Sequence, residues 1–269
     1  MIPKNIFFYW GNDRMSWMRY MTLYSFRKFN PKWEITLYTS RQTVTHKPWG
    51  TPNDQDFFCY KGSDYYERIR DLDITVRPFD VHNEFCPSHR SNFLKWNKLS
   101  TIGGIYADMD ILWIKPINEF YNEIKDFDVG ICQTEYLSIG LLASSGNEFF
   151  KDIYINGLNN FHENNYQTAG VENIYNLYKK SSSEILNSAK KKYPELKFYN
   201  ILMDIIYPYD STQVEQSFSG KFDSLPKNTI GYHWYAGHPV AQVFNNRLNE
   251  NTYKGDNSLF SQLVKKYLK

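Results

Sequence analysis

Gly103-Gly104-Ile105-Tyr106-Ala107-Asp108-Met109-Asp110 is the stretch on which the fold turns. Two adjacent glycines supply the left-handed backbone at which a helix stops. Ile105-Tyr106-Ala107 then reads as a short buried strand that runs straight into an Asp-x-Asp pair. Side chains at i and i+2 of an extended segment point the same way, so Asp108 and Asp110 present two carboxylates to one side. They do so at a strand's end, where open α/β sheets take their ligands. Two close like charges repel. A divalent cation, a hydroxyl or a cationic side chain that bridges them relieves the repulsion. Hard carboxylate oxygens suit Mn²⁺ or Mg²⁺, ions that also grip a diphosphate. A bare Asp-x-Asp is equally the composition of a solvated turn, so its surroundings must decide.

Upstream, Ser88 is a candidate cap for a helix running through Phe93, Trp96 and Leu99 to the double glycine. Ile74 to Arg77 reads as a strand before it. At the start of the chain, Asn5 to Trp10 is β-branched and aromatic and ends at the turn cluster Gly11-Asn12-Asp13. A helix follows from about Ser16, with Trp17, Met21 and Tyr24 at i, i+4, i+7. Asn30-Pro31 stops it, and Glu34 to Tyr38 is the next strand. This β-α-β order is the grammar of a parallel sheet with crossover helices. Gln42 to Ser63, with Pro48, Gly50, Pro52 and Gly62, reads as a long loop. Downstream, Ile111 to Ile114 is a further strand ending at Lys115-Pro116. Lys179 to Lys192 carries Ile185, Leu186 and Ala189 and reads as an exposed helix, not a linker.

Composition narrows the function. The 269 residues are 42% hydrophobic and 22% charged, a globular balance that excludes disorder, collagen and coiled coil. No apolar run approaches the roughly 18 to 20 residues that a spanning helix needs. Lys+Arg of 31 against Asp+Glu of 29 is too balanced for the basic field of a nucleic-acid binder, so no nucleic-acid partner is expected. The 22 tyrosines and 7 tryptophans favour ligands with flat faces, sugars and bases among them. Cys59, Cys86 and Cys132 show neither Cys-x-x-Cys nor zinc-type spacing, which fits a reducing, cytoplasmic setting. The N-terminus has no signal-peptide core and is expected to begin the mature protein.

Three blocks carry a family resemblance: IPKNIFFYWG from residue 2, SNFLKWNKLSTIGGIYADMD from residue 91, and YHWYAGH from residue 232. Together they resemble glycosyltransferase family 32, the sugar transferases with an Asp-x-Asp motif. That family is similar in its donor site to the glucosyltransferase domains of the large clostridial toxins. The resemblance implies an α/β fold of GT-A type: a Rossmann-like mixed sheet flanked by helices, with a mainly helical C-terminal part. Residues 1–269 would form one domain, its donor-binding half about 1–149 and its acceptor side about 150–269. The implied reaction is retaining, metal-dependent transfer of a sugar from a nucleoside-diphosphate donor, UDP-sugar favoured. The implied acceptor is a glycan or lipid-linked saccharide in surface polysaccharide synthesis.

Position by position, the resemblance implies that Asp110 ligates Mn²⁺ or Mg²⁺. Asp108 would contact the ribose and donor sugar beside the metal, and share in holding it. Tyr106 would line the pocket, and Trp10 would stack on the base. The family's Ser-Asp-x-x-Arg stands here as Ser91, Asn92 and Lys95, where an amide replaces a carboxylate and a point charge replaces a forked cation. The family's Trp-Thr-Asp stands as Tyr38-Thr39-Ser40, with Thr39 as the implied donor contact. In place of the family's His-rich stretch and Gly-Ser-Trp the chain has His233-Trp234-Tyr235-Ala236-Gly237-His238, where His233 or His238 could complete the metal shell or bind the diphosphate.

Phe260, Leu263, Val264 and Tyr267, flanked by Lys265, Lys266 and Lys269, form an amphipathic basic helix. It packs on the domain, with peripheral contact to an anionic membrane as a second use. Two other functions compete with transfer. A glycoside hydrolase needs carboxylates on opposite sides of a bond, which an i, i+2 pair sharing one side fits poorly. A carbohydrate-binding module would use the aromatics without turnover.

Overall fold

The computed structural model describes residues 1–11, 14–41, 60–81, 86–165, 167–220, 222 and 224–268. The turn residues Asn12 and Asp13, most of the expected loop over 42–63, Cys59 and Lys269 therefore lie outside the described residues.

Strand β1, Asn5–Trp10, is buried along nearly its whole length, as its unbroken apolar run requires of a central parallel strand. Its side chains alternate between two cores. Ile6, Phe8 and Trp10 join one with Ile35, Leu37, Ile105 and Ala107, while Phe7 and Tyr9 join the other with Tyr38, Tyr106 and Leu142. Strands β2 (Glu34–Thr39), β3 (Thr75–Pro78), β4 (Gly104–Ala107), β6 (Val129–Gln133), β7 (Leu137–Ser144) and β8 (Phe198–Asn200) complete the sheet in the order β3-β2-β1-β4-β7-β6-β8. The β3, β2, β1 and β4 strands are parallel, and β7 enters antiparallel between β4 and β6. A separate two-stranded sheet pairs β5, Ile111–Trp113, antiparallel with β9, Gly231–His233. The expected mixed α/β sheet thus stands, with the strand after the Asp-x-Asp turn leaving it.

Helix α1, Trp17–Phe29, begins where Ser16 Oγ accepts the Arg19 N–H and ends at Asn30. Its hydroxyls hold the chain beyond β4: Thr22 donates to the Met109 carbonyl at 2.9 Å, and Ser25 accepts from the Trp113 N–H at 3.0 Å. Helix α2, Pro87–Thr101, lies on the other face, packing Leu94, Trp96 and Leu99 with Phe149, Phe150 and Ile153 of α4, Glu148–Asn159. Its cap is Cys86, whose Sγ accepts from the His89 N–H, and not Ser88. Pro87 at the first helical position puts the cap one residue before it. Gly103 and Gly104, at φ +67° and +106°, stop α2, and a Cβ on Gly104 would lie 2.0 Å from Asn5 Oδ1. A short helix, α3 (Asn118–Ile124), precedes β6.

The C-terminal part is mainly helical as expected, with the three-residue strands β8 and β9 and several 3₁₀ turns set among its helices. Its helices are α5 (Val171–Tyr178), α6 (Ile185–Lys192), α7 (Val214–Phe218), α8 (Pro239–Arg247) and α9 (Leu259–Tyr267). Ile185, Leu186 and Ala189 are buried, so α6 packs one face and exposes its lysines. The apolar side of α9 goes inward: Leu259, Phe260, Leu263 and Val264 form a third core with Trp17, Met18, Leu112 and Trp234. No described helix is long and apolar enough to cross a membrane.

Candidate active site

The sheet order changes direction between β1 and β4, since β2 and β3 lie on one side of β1 and β4 on the other. At such a switch point the strand ends diverge and leave a crevice. Trp10 ends β1 there, and Asp108 follows β4.

Asp108 is held from three directions. Its N–H donates to the Gly140 carbonyl of β7 at 2.8 Å. Tyr106 donates its hydroxyl to Asp108 Oδ1 at 2.5 Å and is itself 2.7 Å from Ser91 Oγ. Lys95 Nζ lies 3.4 Å from the same Oδ1, 3.2 Å from the Ile139 carbonyl and 4.4 Å from the Tyr106 ring centroid. Burial and the neighbouring Asp108 carboxylate raise the Tyr106 hydroxyl well above its ordinary value, so it stays a neutral donor. Burial lowers the Lys95 ammonium, and Asp108 pulls the other way.

Asp110 is placed by the small sheet. The register sets Ile111 opposite His233, and the Trp234 N–H donates to the Asp110 carbonyl at 2.9 Å. Asp110 Oδ1 is then 3.1 Å from His233 Nε2, and Oδ2 accepts the Ala236 N–H at 2.9 Å. Burial works against this charge. The His233 imidazole, Arg19 and the Ala236 N–H outweigh burial and hold the carboxyl well below the usual carboxylate range. The Tyr235 N–H donates to His233 Nδ1 at 3.3 Å, which turns Nε2 towards Asp110.

One ligand atom each from Asp108, Asp110 and His233 all lie within 4.8 Å of one another. Two carboxylate oxygens and an imidazole nitrogen form a donor set that suits a divalent cation. The floor beside them is shaved to hydrogen: a Cβ on Gly140 would come within 3.0 Å of Asp108 Oδ2 and 2.5 Å of the Tyr207 hydroxyl. The residues therefore fit the cation that the sequence implied.

These groups open onto a cavity of about 200 Å³. Trp10, Ser91, Asn92, Lys95, Tyr106, Asp108 and Asp110 all line it. Thr39, His233 and His238 do not, although His233 meets Asp110 behind the wall. Thr39 ends β2, and the following Ser40 hydroxyl accepts from Arg90 at 2.6 Å. His238 spends Nδ1 as the cap of α8, accepting from the Val240 N–H. Trp10 is both wall and core, because it is 5% exposed and Arg19 lies over its ring at 5.4 Å. Sequence reasoning missed Arg19, Gln167 and Gly237 in the lining, and Gly140 and Tyr207 beneath it. Arg19 follows the Ser16 cap by one turn, and that spacing was its only signal.

Residues 15–128 match the family model described as "Glycosyltransferase sugar-binding region containing DXD motif". No curated protein matches the sequence. Among solved structures, the PaToxG glycosyltransferase is similar over 97% of this chain and 86% of its own, at 13% identity and a TM-score of 0.47. The galactosyltransferase LgtC, solved with donor and acceptor sugar analogs, is similar over 98% of this chain and 96% of its own, at 12% identity and 0.46. Mouse xyloside xylosyltransferase 1 is similar over 87% of this chain and 98% of its own, at 9% identity and 0.46.

Proposed function

We propose that this chain, whose residues 15–128 match the sugar-binding region of glycosyltransferases with the DXD motif, transfers a sugar from a nucleoside-diphosphate donor to a saccharide acceptor. The observation that carries this reading is the convergence of Asp108, Asp110 and His233 within 4.8 Å, with both carboxylates on the wall of a cavity at the β1–β4 switch point. A hydrolase would set its two carboxylates on either side of a sugar bond, whereas these two meet at one point.

Asp108, Asp110 and His233 would hold Mn²⁺ or Mg²⁺, which when bound neutralises charge on the leaving diphosphate. Tyr106 and Lys95 keep Asp108 aimed at that point. Trp10 offers its edge of the cavity to the base, and Ser91 and Asn92 offer hydroxyl and amide groups to sugar hydroxyls. The bond between the sugar's C1 and the diphosphate oxygen breaks with its electron pair staying on the diphosphate. C1 bonds the acceptor oxygen, and the acceptor's proton ends on the released diphosphate. We assign the transfer as retaining, with UDP-sugars as donors and a glycan or lipid-linked acceptor of surface polysaccharide synthesis. The setting is cytoplasmic, where Lys265 and Lys266 of α9 offer contact with an anionic membrane surface.

The test is a panel of UDP- and GDP-sugars incubated with Mn²⁺ and with chelator, reading released nucleoside diphosphate. Metal-dependent release from one donor supports transfer. Saccharide binding without any release would make the protein a binding module instead.

A further inference from the structure

Arg19 belongs to none of the motifs that point to the site, yet it is 5% exposed and lines the cavity. Helix α1 delivers it there. Ser16 Oγ accepts the Arg19 N–H at 3.1 Å, and Thr22, one turn further on, donates to the carbonyl of Met109 in the middle of the Asp-x-Asp turn. The guanidinium lies 5.4 Å from the Trp10 ring centroid and 5.0 Å from that of Trp234. A guanidinium carries all its N–H donors in one plane. Two indoles beside it hold that plane, and its N–H donors lie along the edge, where an anion is met.

Charge balance leads to the same place. A divalent cation would offset the two site carboxylates, which leaves Lys95 facing the doubly negative diphosphate of a sugar nucleotide. A buried cavity tolerates uncompensated charge poorly, so a second positive side chain completes the balance. Lys95 Nζ is also a point charge engaged by Asp108 and the Ile139 carbonyl, and it has no fork with which to grip two phosphate oxygens. We infer that Arg19 binds the donor's diphosphate through its forked edge, with Trp10 and Trp234 holding the fork in register. This inference rests on the nucleotide-sugar reading above. As the C1–O bond breaks and its electron pair passes to the diphosphate, the anion gains charge, so the contact strengthens in the transition state.

The experiment titrates wild type, Arg19→Met and Arg19→Lys, with Mg²⁺ present, against uridine, UMP and UDP and against guanosine, GMP and GDP. Tryptophan fluorescence reads the binding, and donor hydrolysis reads kcat. Arg19→Met keeps an apolar stem between the two indoles. For the base that wild type prefers, it should bind the diphosphate at least about tenfold more weakly and the nucleoside within about twofold, with kcat reduced as well. Arg19→Lys should fall between the two, and it carries the test should the Met variant not fold. Equal losses on nucleoside and diphosphate would mean that Arg19 only spaces the tryptophans, and would overturn the inference. No loss on either would overturn it too. Wild type that binds none of the six compounds would instead remove the nucleotide-sugar reading on which the inference stands.

Discussion

Asp110→Asn keeps the shape of the side chain and removes its charge. The carboxylate is 8% exposed, with Oδ1 facing His233 Nε2 and Oδ2 accepting from Ala236. An amide can keep the Ala236 contact through its oxygen. Its NH₂ then faces Nε2, and the charged oxygen opposite the imidazole is lost. Losing one hydrogen bond to a charged group costs about 1.5–3 kcal/mol. At about 2–4 °C per kcal/mol for chains near this size, the melting temperature should fall by roughly 3–12 °C. The sign with pH follows from the depressed carboxyl. It stabilises the fold above the unfolded value near 4 and loses that contribution as pH falls towards the folded value. The gap between wild type and variant should therefore be full at pH 7 and shrink below about pH 4. Mn²⁺ should raise the wild-type melting temperature, by about 2.7 kcal/mol of stability at a hundredfold excess over its dissociation constant, and leave the variant unmoved. Differential scanning fluorimetry across pH, with and without Mn²⁺, measures all three quantities. An Asn variant that melts like wild type and still responds fully to Mn²⁺ would refute the reasoning.

Trp10→Ala should weaken nucleoside binding by about 1–3 kcal/mol and, because Trp10 also packs in the core, cost about 3–5 kcal/mol of stability. Calorimetric titration with unchanged affinity would leave Trp10 purely a core residue. Gly140→Ala forces a methyl against the Tyr207 hydroxyl and Asp108 Oδ2, and should reduce Mn²⁺ affinity about 10–100-fold, measured by Mn²⁺ titration of activity. Unchanged Mn²⁺ affinity would show that the floor gives way. Asn92→Asp with Lys95→Arg should reorder donor preference in a nucleotide-sugar panel. Because Asn92 and Lys95 are both buried, the pair should also cost about 1–3 kcal/mol in stability, in contrast to an exposed face. An unchanged ranking would separate these residues from the donor.

The parts of this molecule that were legible in its sequence are those set by neighbours along the chain. The β-branched and aromatic run of β1, the helix start near Ser16, the Asn30 stop and the double glycine all act within a few residues, and each appears where the sequence put it. Cys86 and His238 were missed as caps although the same local rule marks both. Each precedes a proline, and a proline at the first helical position makes the residue before it the cap. Side-chain preference pointed to Ser88, but the Pro87 ring decides the boundary. That rule also explains why His238 stays off the cavity wall while His233 reaches the carboxylates. His233 could be named only as one of two candidates, because its place depends on the pairing of β5 with β9, strands far apart in sequence. Arg19 was invisible for a similar reason. Its neighbours Trp10 and Trp234 come from different cores, and nothing within α1 says that they close over it.

The Arg-to-Lys departure at Lys95 follows from what surrounds that position. Lys95 lies with its Nζ over the Tyr106 ring, 5.9 Å from the Trp96 ring centroid, and reaches Asp108 along a fully buried path. A compact ammonium can satisfy itself there with one carboxylate oxygen and one carbonyl. A guanidinium would bring further donors into the same space, and each one left without an acceptor costs desolvation. Helix α2 therefore supplies a point charge that keeps Asp108 aimed, and leaves planar recognition of an anion to another element. α1 is placed to provide it, since the helix that pins Met109 through Thr22 also carries Arg19 between two indoles. The two cations then divide the work: Lys95 orders the protein's own carboxylate, and Arg19 meets the ligand's phosphates.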